Sequence, residues 1–247
     1  MRIPAPCVTC FLAEQPRRDA GEKVPIVMLP GRVTDDGIVI VECNQGHKTC
    51  IVYDARRYEL LFQSACLALV DHYDREAVSG FAVALERAYE FYVRVVSRTY
   101  NLEHDIFETM WKLVARQSER QFGCFAILYT LDCKKAPTID NKQVEFRNNV
   151  VHRGAIPQFD EVYQFGEYVF NAKRELEMAL KTKHAPALEA EIQHELATRR
   201  SAVPAAMPSI GMKVVPVNVD TATHTAHELT RFEEYMAMMH KHRTDYS

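Results

Sequence analysis

The sequence lacks a long hydrophobic run and also lacks a general excess of positive charge. No stretch approaches the ~18 apolar residues that a membrane-spanning helix requires, and residues 1–12 have no apolar core of the kind found in secretory signals. We therefore expect a cytoplasmic protein with no membrane partner. The formal net charge is −3, so no basic field over the whole molecule indicates nucleic acid, and any such contact has to be local.

The chain also has no internal repeat and no low-complexity block. It does have 47% hydrophobic residues in a length of 247, which is enough for one domain with a real core and a small additional module. The residue pattern changes near residues 54 and 185. We predict a mainly α protein with a small β module at 1–54, a helical bundle at 55–185, and a C-terminal helical arm at 186–247.

The small module is predicted to contain three strands. β-branched residues are concentrated at 24–29 and 37–42, and a third run at 49–53 can pair with them. Turn-forming residues at 30–31 and 35–37 separate these runs.

Helical periodicity begins at residue 56, and the clearest amphipathic pattern lies at 74–100. A loop at 133–140 leads into a short helix that ends near Gly154. Three prolines make 201–220 a linker or an extended arm, and the last helix is expected to carry Leu229, Phe232 and Met236 as apolar residues that need a packing surface. The other expected helices cover residues 56–73, 103–117, 118–131, 160–183, 184–200 and 223–242.

Two pairs of potential metal ligands bracket the first two predicted strands. Cys7 and Cys10 form a Cys-x2-Cys pair, and Cys43 is followed four residues later by His47. Tetrahedral zinc takes four soft or borderline ligands, typically two from each of two tight turns, and Gly46 permits the second turn. A module of ~50 residues has a small core and gains much of its folding energy from such a metal. We predict one structural zinc ion in a zinc-ribbon-like module.

Two alternatives stay open for these four residues. They are ordinary buried thiols and a surface histidine without a metal, or Cys50 replaces one of the ligands. Seven cysteines are an odd number, and without an export signal they argue against a disulfide framework. Cys66, Cys124 and Cys133 are expected to be core thiols.

The short helix before Gly154 carries an arginine within its apolar arc. At about 100° per residue, the apolar side chains span roughly 160°, and Arg147 falls near the middle of that arc. The apolar members are Val144, Phe146, Val150 and Val151. A guanidinium on a core-facing arc has to meet a carboxylate, a phosphate or a partner chain, because burying it unpaired costs several kcal/mol. A structural ion pair with Glu86 or Glu145 would satisfy it without any further function.

Arg147 and His152, with Asn148 directly after the arginine, match the R-x(4–6)-H pattern of the HEPN superfamily. The apolar helices before this motif, Arg153-Gly154 after it, and the amphipathic helix that follows add to the likeness, so residues 55–185 resemble a HEPN domain. The resemblance implies a short helical bundle that is usually paired as a homodimer. It also implies either a metal-independent endoribonuclease or a relative that has lost catalysis and only binds.

The three motif residues suit RNA cleavage by the 2′-hydroxyl. A histidine imidazole transfers protons near neutral pH, so His152 fits a general acid or base. Arg147 can grip phosphate oxygens, and Asn148 can orient the imidazole or the phosphate. Because the Arg147 and His152 side chains point about 140° apart on an ideal helix, we expect the second chain of a homodimer to complete the site.

These observations lead to hypotheses of different classes. The first is an endoribonuclease of the toxin or antiviral-defence kind, with Glu86 on the long helix as a helper residue. The second is a catalytically inactive RNA-binding or assembly subunit of a larger complex that includes a cognate protein partner. The third is an interaction protein that uses the proline-rich arm and the last helix.

Overall fold

The computed structural model describes residues 2–213 and 231–245, which contain ten helices and five strands. The chain divides into two compact units. The first consists of Met1–Ala55 and Ile192–Pro216, and the second of Arg56–Glu191 and Val217–Ser247. The sequence pattern predicts divisions near residues 54 and 185. In the structure the first division lies after Ala55, and the segment Ile192–Pro216 belongs to the first unit.

The first unit is built on a five-stranded sheet in the order β1-β2-β3-β4-β5. The first four strands pair antiparallel and β5 pairs parallel to β4. The strands are β1 (Arg2–Pro6), β2 (Met28–Val33), β3 (Ile38–Glu42), β4 (Lys48–Tyr53) and β5 (Ser209–Met212). Two short helices, α1 (Val8–Ala13) and α2 (Gln15–Asp19), connect β1 to β2. The predicted strands at 37–42 and 49–53 are therefore confirmed, whereas β1, β5 and the two helices were not predicted.

The first predicted strand, at 24–29, is displaced in the structure. Strand β2 begins at Met28 and includes Pro30 and Gly31, which the sequence pattern indicated as a turn. Pro30 lies opposite Pro4 of β1, so neither residue needs an N–H at that point of the ladder. Pairing with a strand elsewhere in the chain therefore outweighs the local turn signal.

Two hairpin turns of this sheet depend on glycine. Gly37 has φ +71° and closes the turn between β2 and β3, where the N–H of Gly37 donates to the carbonyl of Thr34 at 3.0 Å. Gly46 has φ +78° in the turn between β3 and β4. Both backbone conformations are left-handed and strained for other residues, which explains why glycine occupies them.

Arg199 connects the segment Ile192–Pro216 to the sheet by hydrogen bonds. Its guanidinium donates to the carbonyl of Ala55 at 2.6 Å and also to the carbonyl of Tyr53. Strand β5 follows, and the N–H of Cys50 donates to the carbonyl of Pro208 at 2.9 Å. The predicted linker at 201–220 thus contains a sheet strand, while its residues from 214 lie outside the described part.

The second unit is a helical bundle. Its helices are α3 (Arg57–Val70), α4 (Asp74–Thr99), α5 (His104–Val114), α6 (Ser118–Cys133), α7 (Asn141–Arg153), α8 (Phe159–Lys183), the first part of α9 (Ala185–Ser201), and α10 (Phe232–Asp245). Helices α3 and α4 approach closely at Gly80, where a Cβ atom would lie 2.9 Å from the Cβ of Ala65. The helical periodicity of the sequence is confirmed, and Phe81 of α4 and Phe165 and Phe170 of α8 are buried.

The last helix packs into this same bundle. The ring of Phe232 lies 6.1 Å from that of Phe62 and 5.8 Å from that of Phe170, and Met236 is also buried. The packing surface that these apolar residues were expected to need is provided for Phe232 and Met236 by the bundle of the same chain. Leu229 lies outside the described residues.

A buried polar cluster occupies one region of the bundle. Arg56, Glu59, Lys173 and Glu177 are each at most 7% exposed, and Lys173 donates to Glu177 at 2.9 Å. Burial raises the pKa of Glu59 to about 7, although the nearby Arg56 opposes this shift. The ammonium of Lys173 and the carboxylate of Glu177 compensate one another, as buried charges must in an apolar core.

Candidate functional site

The four predicted metal ligands lie together in the first unit. Their sulfur and nitrogen donor atoms all lie within 4.8 Å of one another. The Sγ of Cys10 is 3.8 Å from the Sγ of Cys43 and 3.4 Å from Nδ1 of His47, and Cys7 completes the group. This set of three thiols and one imidazole can hold a metal ion.

Two separate parts of the unit supply these ligands. Cys7 follows β1 directly, and Cys10 lies one turn along α1, so the short helix brings both sulfurs to the same side. Cys43 and His47 bracket the turn between β3 and β4, where the N–H of Cys43 donates to the carbonyl of His47 at 3.1 Å. The tight turn holds two ligands four residues apart next to each other.

The electrostatics of the cluster favour a cation. Burial opposes ionisation of Cys7, but the N–H and thiol of Cys10 and the hydroxyl of Thr49 donate to its sulfur, and the net effect lowers its pKa to about 6. The thiol of Cys10 donates to the sulfur of Cys7, and this bond, together with desolvation, raises the pKa of Cys10 to about 11. One thiolate therefore forms first, and a metal ion would displace the remaining protons.

Cys50 does not belong to this cluster. It is fully buried in β4, and burial raises the pKa of its thiol. Within the part of the chain that the structure describes, the only group of three or more potential metal ligands is the one formed by Cys7, Cys10, Cys43 and His47. The alternative in which Cys50 replaces one of them has no support in the geometry.

Sequence reasoning missed Thr49 as a member of this site. Its hydroxyl lies 3.8 Å from the sulfur of Cys7 and accepts from the N–H of Val8 at 3.2 Å. Thr49 is fully buried, so it fixes the position of Cys7 from strand β4. The signal available in the sequence was a polar residue next to Cys50, directly before the apolar end of the strand.

The second candidate site is on helix α7, which has clear ends. The side chain of Asp140 accepts from the N–H of Lys142 at 2.9 Å at the first turn, and Gly154 at φ +75° ends the helix. Val150 is buried, as the apolar arc predicted, whereas Val144 is 41% exposed. The arc that faces the bundle is therefore narrower than the sequence pattern indicated.

Arg147 is partly buried and is paired with α4. Its guanidinium donates to Oε1 of Glu86 at 2.7 Å and to the side-chain oxygen of Asn148 at 2.9 Å. The Arg147 and Glu86 side chains retain 21% and 23% exposure, so the pair is accessible from one side. The structure thus shows the ion pair with Glu86 that the sequence had left as an alternative to a functional role.

His152 lies on the last turn of α7 and is exposed. Among the described residues its side chain makes no hydrogen bond with Arg147, Asn148 or Glu86. Its neighbour Arg153 donates to Asn149 at 2.9 Å instead. One chain therefore brings together Arg147, Asn148 and Glu86 but leaves the imidazole outside this contact.

Comparisons with models of protein families, with curated proteins and with solved structures found no match to this chain. Within residues 2–213 and 231–245, no helix combines the length and the apolar character needed to cross a membrane.

Proposed function

We propose that the first unit holds one structural zinc ion. The observation that carries this proposal is the convergence of four donor atoms, three sulfurs and one nitrogen, within 4.8 Å. Thiolates and imidazole are the ligands that zinc takes at structural sites, where four protein ligands leave no open position for a substrate. The ion stabilises the small sheet unit and has no catalytic role.

We propose that the second unit is a HEPN-type, metal-independent endoribonuclease domain that acts in the cytoplasm as a toxin or in antiviral defence. The observation that carries this proposal is the oriented and partly exposed guanidinium of Arg147. Glu86 and Asn148 hold it in place, so it is pre-organised for a phosphate that approaches from solvent. His152 supplies the titratable group on the exposed last turn of the same helix.

The reaction proposed is an internal transesterification of RNA. A base removes the proton of the 2′-hydroxyl, the 2′-oxygen bonds to the adjacent phosphorus, and the bond from phosphorus to the 5′-oxygen breaks. The 5′-oxygen leaves with a proton, and a cyclic phosphate remains on the other product. His152 transfers one of these protons, and Arg147 stabilises the negative charge on the phosphate oxygens. A second copy of the chain brings its own His152 to the Arg147 of the first.

A second candidate function is RNA binding or assembly without catalysis. The specific observation in its favour is that Glu86 neutralises much of the charge of Arg147, while His152 has no partner in the described residues that orients its imidazole. In this case the domain serves as a subunit of a larger complex with a cognate protein partner.

Cleavage assays on purified protein separate the two functions. We expect single-stranded RNA or an exposed RNA loop to be cut in the presence of EDTA, with cyclic phosphate ends. His152→Ala should lower the cleavage rate by roughly 10² to 10⁴ fold and leave RNA binding intact. Arg153→Ala is the matched control, since it removes a charge from the adjacent exposed position.

The outcomes are distinct. RNA binding by both the parent and His152→Ala, without cleavage by either, would favour the binding subunit. Cleavage that EDTA abolishes would exclude the metal-independent reaction. Growth arrest on expression of the parent chain, but not of His152→Ala, would connect the chemistry to a toxin or defence role.

A further inference from the structure

A cavity of about 360 Å³ lies in the first unit, and three of the candidate metal ligands, Cys7, Cys10 and Cys43, form part of its lining. One wall is formed by Phe11 of α1 and by the segment that leads into β2. The apolar lining residues of this segment and of the start of β2 are Val24, Ile26, Val27 and Leu29. Ile26 and Val27 are 49% and 69% exposed, so the chain leaves apolar side chains uncovered here. Cavities of this kind, apolar with a few polar groups, are typical of small-ligand sites.

One cationic group lines the same cavity. The guanidinium of Arg18 lies over the ring of Phe11, 4.4 Å from its centroid, and donates to the carbonyl of Phe11. Its Nε is buried and has no hydrogen-bond acceptor in the described part of the chain. A guanidinium has five N–H donors, and within the described residues that of Arg18 makes only the hydrogen bond to the carbonyl of Phe11. No carboxylate among the described residues pairs with Arg18.

The carboxylate of Glu14, which also lines the cavity, is not the partner of Arg18. It pairs with Arg17 at 2.8 Å instead. A guanidinium beside apolar side chains, with free donors and no carboxylate of its own, favours an anionic ligand with an apolar stem.

We propose that this cavity binds a small aliphatic carboxylate. The carboxylate pairs with Arg18, and the aliphatic stem packs against Val24, Ile26 and Leu29. The volume limits the buried part of the ligand to on the order of ten non-hydrogen atoms. A free aliphatic acid and the aliphatic C-terminal residue of a peptide share this chemistry, and the two are separated by the choice of probe.

The test is calorimetric titration of the full-length, metal-loaded protein with hexanoate and with N-acetyl-leucine. Each is compared with its neutral amide, hexanamide or N-acetyl-leucinamide. We expect saturable binding of at least one acid, about tenfold or more tighter than its amide, because a charge-assisted hydrogen bond is lost in the amide. The acid that binds more tightly identifies the source of the ligand.

Two variants test the assignment to Arg18. Arg18→Met should lower the affinity for the acid to that for its amide. Arg32→Met removes a charge from an exposed strand position outside the cavity and should leave the affinity for the acid unchanged. Ile26→Glu places a carboxylate at a partly exposed wall position and should also weaken the acid. Unchanged metal content and melting temperature confirm that each variant is folded. Equal affinity for acid and amide, equal effects of Arg18→Met and Arg32→Met, or no saturation by either acid at about 10 mM would overturn the proposal.

Discussion

The guanidinium of Arg147 on α7 is paired with the carboxylate of Glu86 on α4 across 2.7 Å. The two residues are 61 positions apart in the sequence, and the pair joins the motif helix to the longest helix of the bundle. A half-buried ion pair of this kind serves either to hold α7 in place or to orient a guanidinium for phosphate. The two roles predict different consequences when Glu86 is changed.

The first prediction concerns this pair. Glu86→Gln and Arg147→Met should each lower the free energy of unfolding, and a double-mutant cycle should give a coupling of about 1 kcal/mol, measured by urea denaturation. If Arg147 contacts phosphate, Glu86→Gln should also strengthen RNA binding, because it releases the charge of the guanidinium. RNA affinity that is unchanged in Glu86→Gln and in Arg147→Met would restrict Arg147 to a structural role.

The second prediction concerns the metal centre. Metal analysis should give about one zinc per chain, and Cys43→Ser should lose it, because three ligands bind zinc far more weakly than four. Circular dichroism should show that the helical unit remains folded. Cys50→Ser and Cys124→Ser are the controls, since neither thiol belongs to the cluster. A metal-free parent protein with an ordered first unit would contradict the zinc assignment.

The third prediction concerns pH and the buried Glu59. Burial raises its pKa from 4.5 to about 7, so the folded protein keeps this proton over a range in which the unfolded chain has lost it. Between pH 4.5 and about 7 the folded state binds more protons than the unfolded chain. The free energy of unfolding therefore falls as pH rises, by about 3 kcal/mol over this pH range.

The variant Glu59→Gln keeps an oxygen that can accept from the N–H of Arg56 but cannot ionise. It should remove most of this pH dependence, which denaturant titrations at several pH values between about 4.5 and 7.5 will measure. Parallel pH profiles for the parent and for Glu59→Gln would show that the carboxyl is ionised throughout.

The fourth prediction concerns assembly. Light scattering at micromolar concentration should give twice the chain mass of 28.4 kDa, because Arg147 and His152 diverge on one helix and a second copy is needed to bring them together. Chains with Arg147→Ala and chains with His152→Ala, each inactive alone, should recover about a quarter of the parent activity when mixed, since half of the dimers then carry one complete site. A monomer mass would remove the basis for a shared site.

Local patterns in the sequence predicted most of the helical unit. The apolar spacing of residues 74–100 identified α4, and that of residues 160–183 identified α8, because helical periodicity depends only on neighbours within a few turns. The spacing of Cys7, Cys10, Cys43 and His47 predicted a metal cluster in the same way. Each pair is brought together by a short helix or a tight turn.

Long-range pairing had no such local signal. Strand β1 aligns with β2, and Arg199 reaches the carbonyl of Tyr53, 146 positions earlier in the chain. The pairing with β1 places Pro30 in a strand. The contact of Arg199 holds the segment that leads to β5 against the sheet. Neither β1 nor Tyr53 can be identified as a partner from the residues next to Pro30 or Arg199.

The sequence by itself determined the helical periodicity, the two ligand pairs and the presence of an arginine, an amide and an imidazole on one short helix. Only the tertiary structure decided that Glu86 pairs with the guanidinium of Arg147, that Phe232 packs in the core of its own chain, and that no carboxylate in residues 2–213 and 231–245 pairs with Arg18. The physical reason is that short-range conformational preferences are encoded in neighbouring residues. The partner of a charged or apolar side chain is decided by which distant elements the packing of the core brings to it.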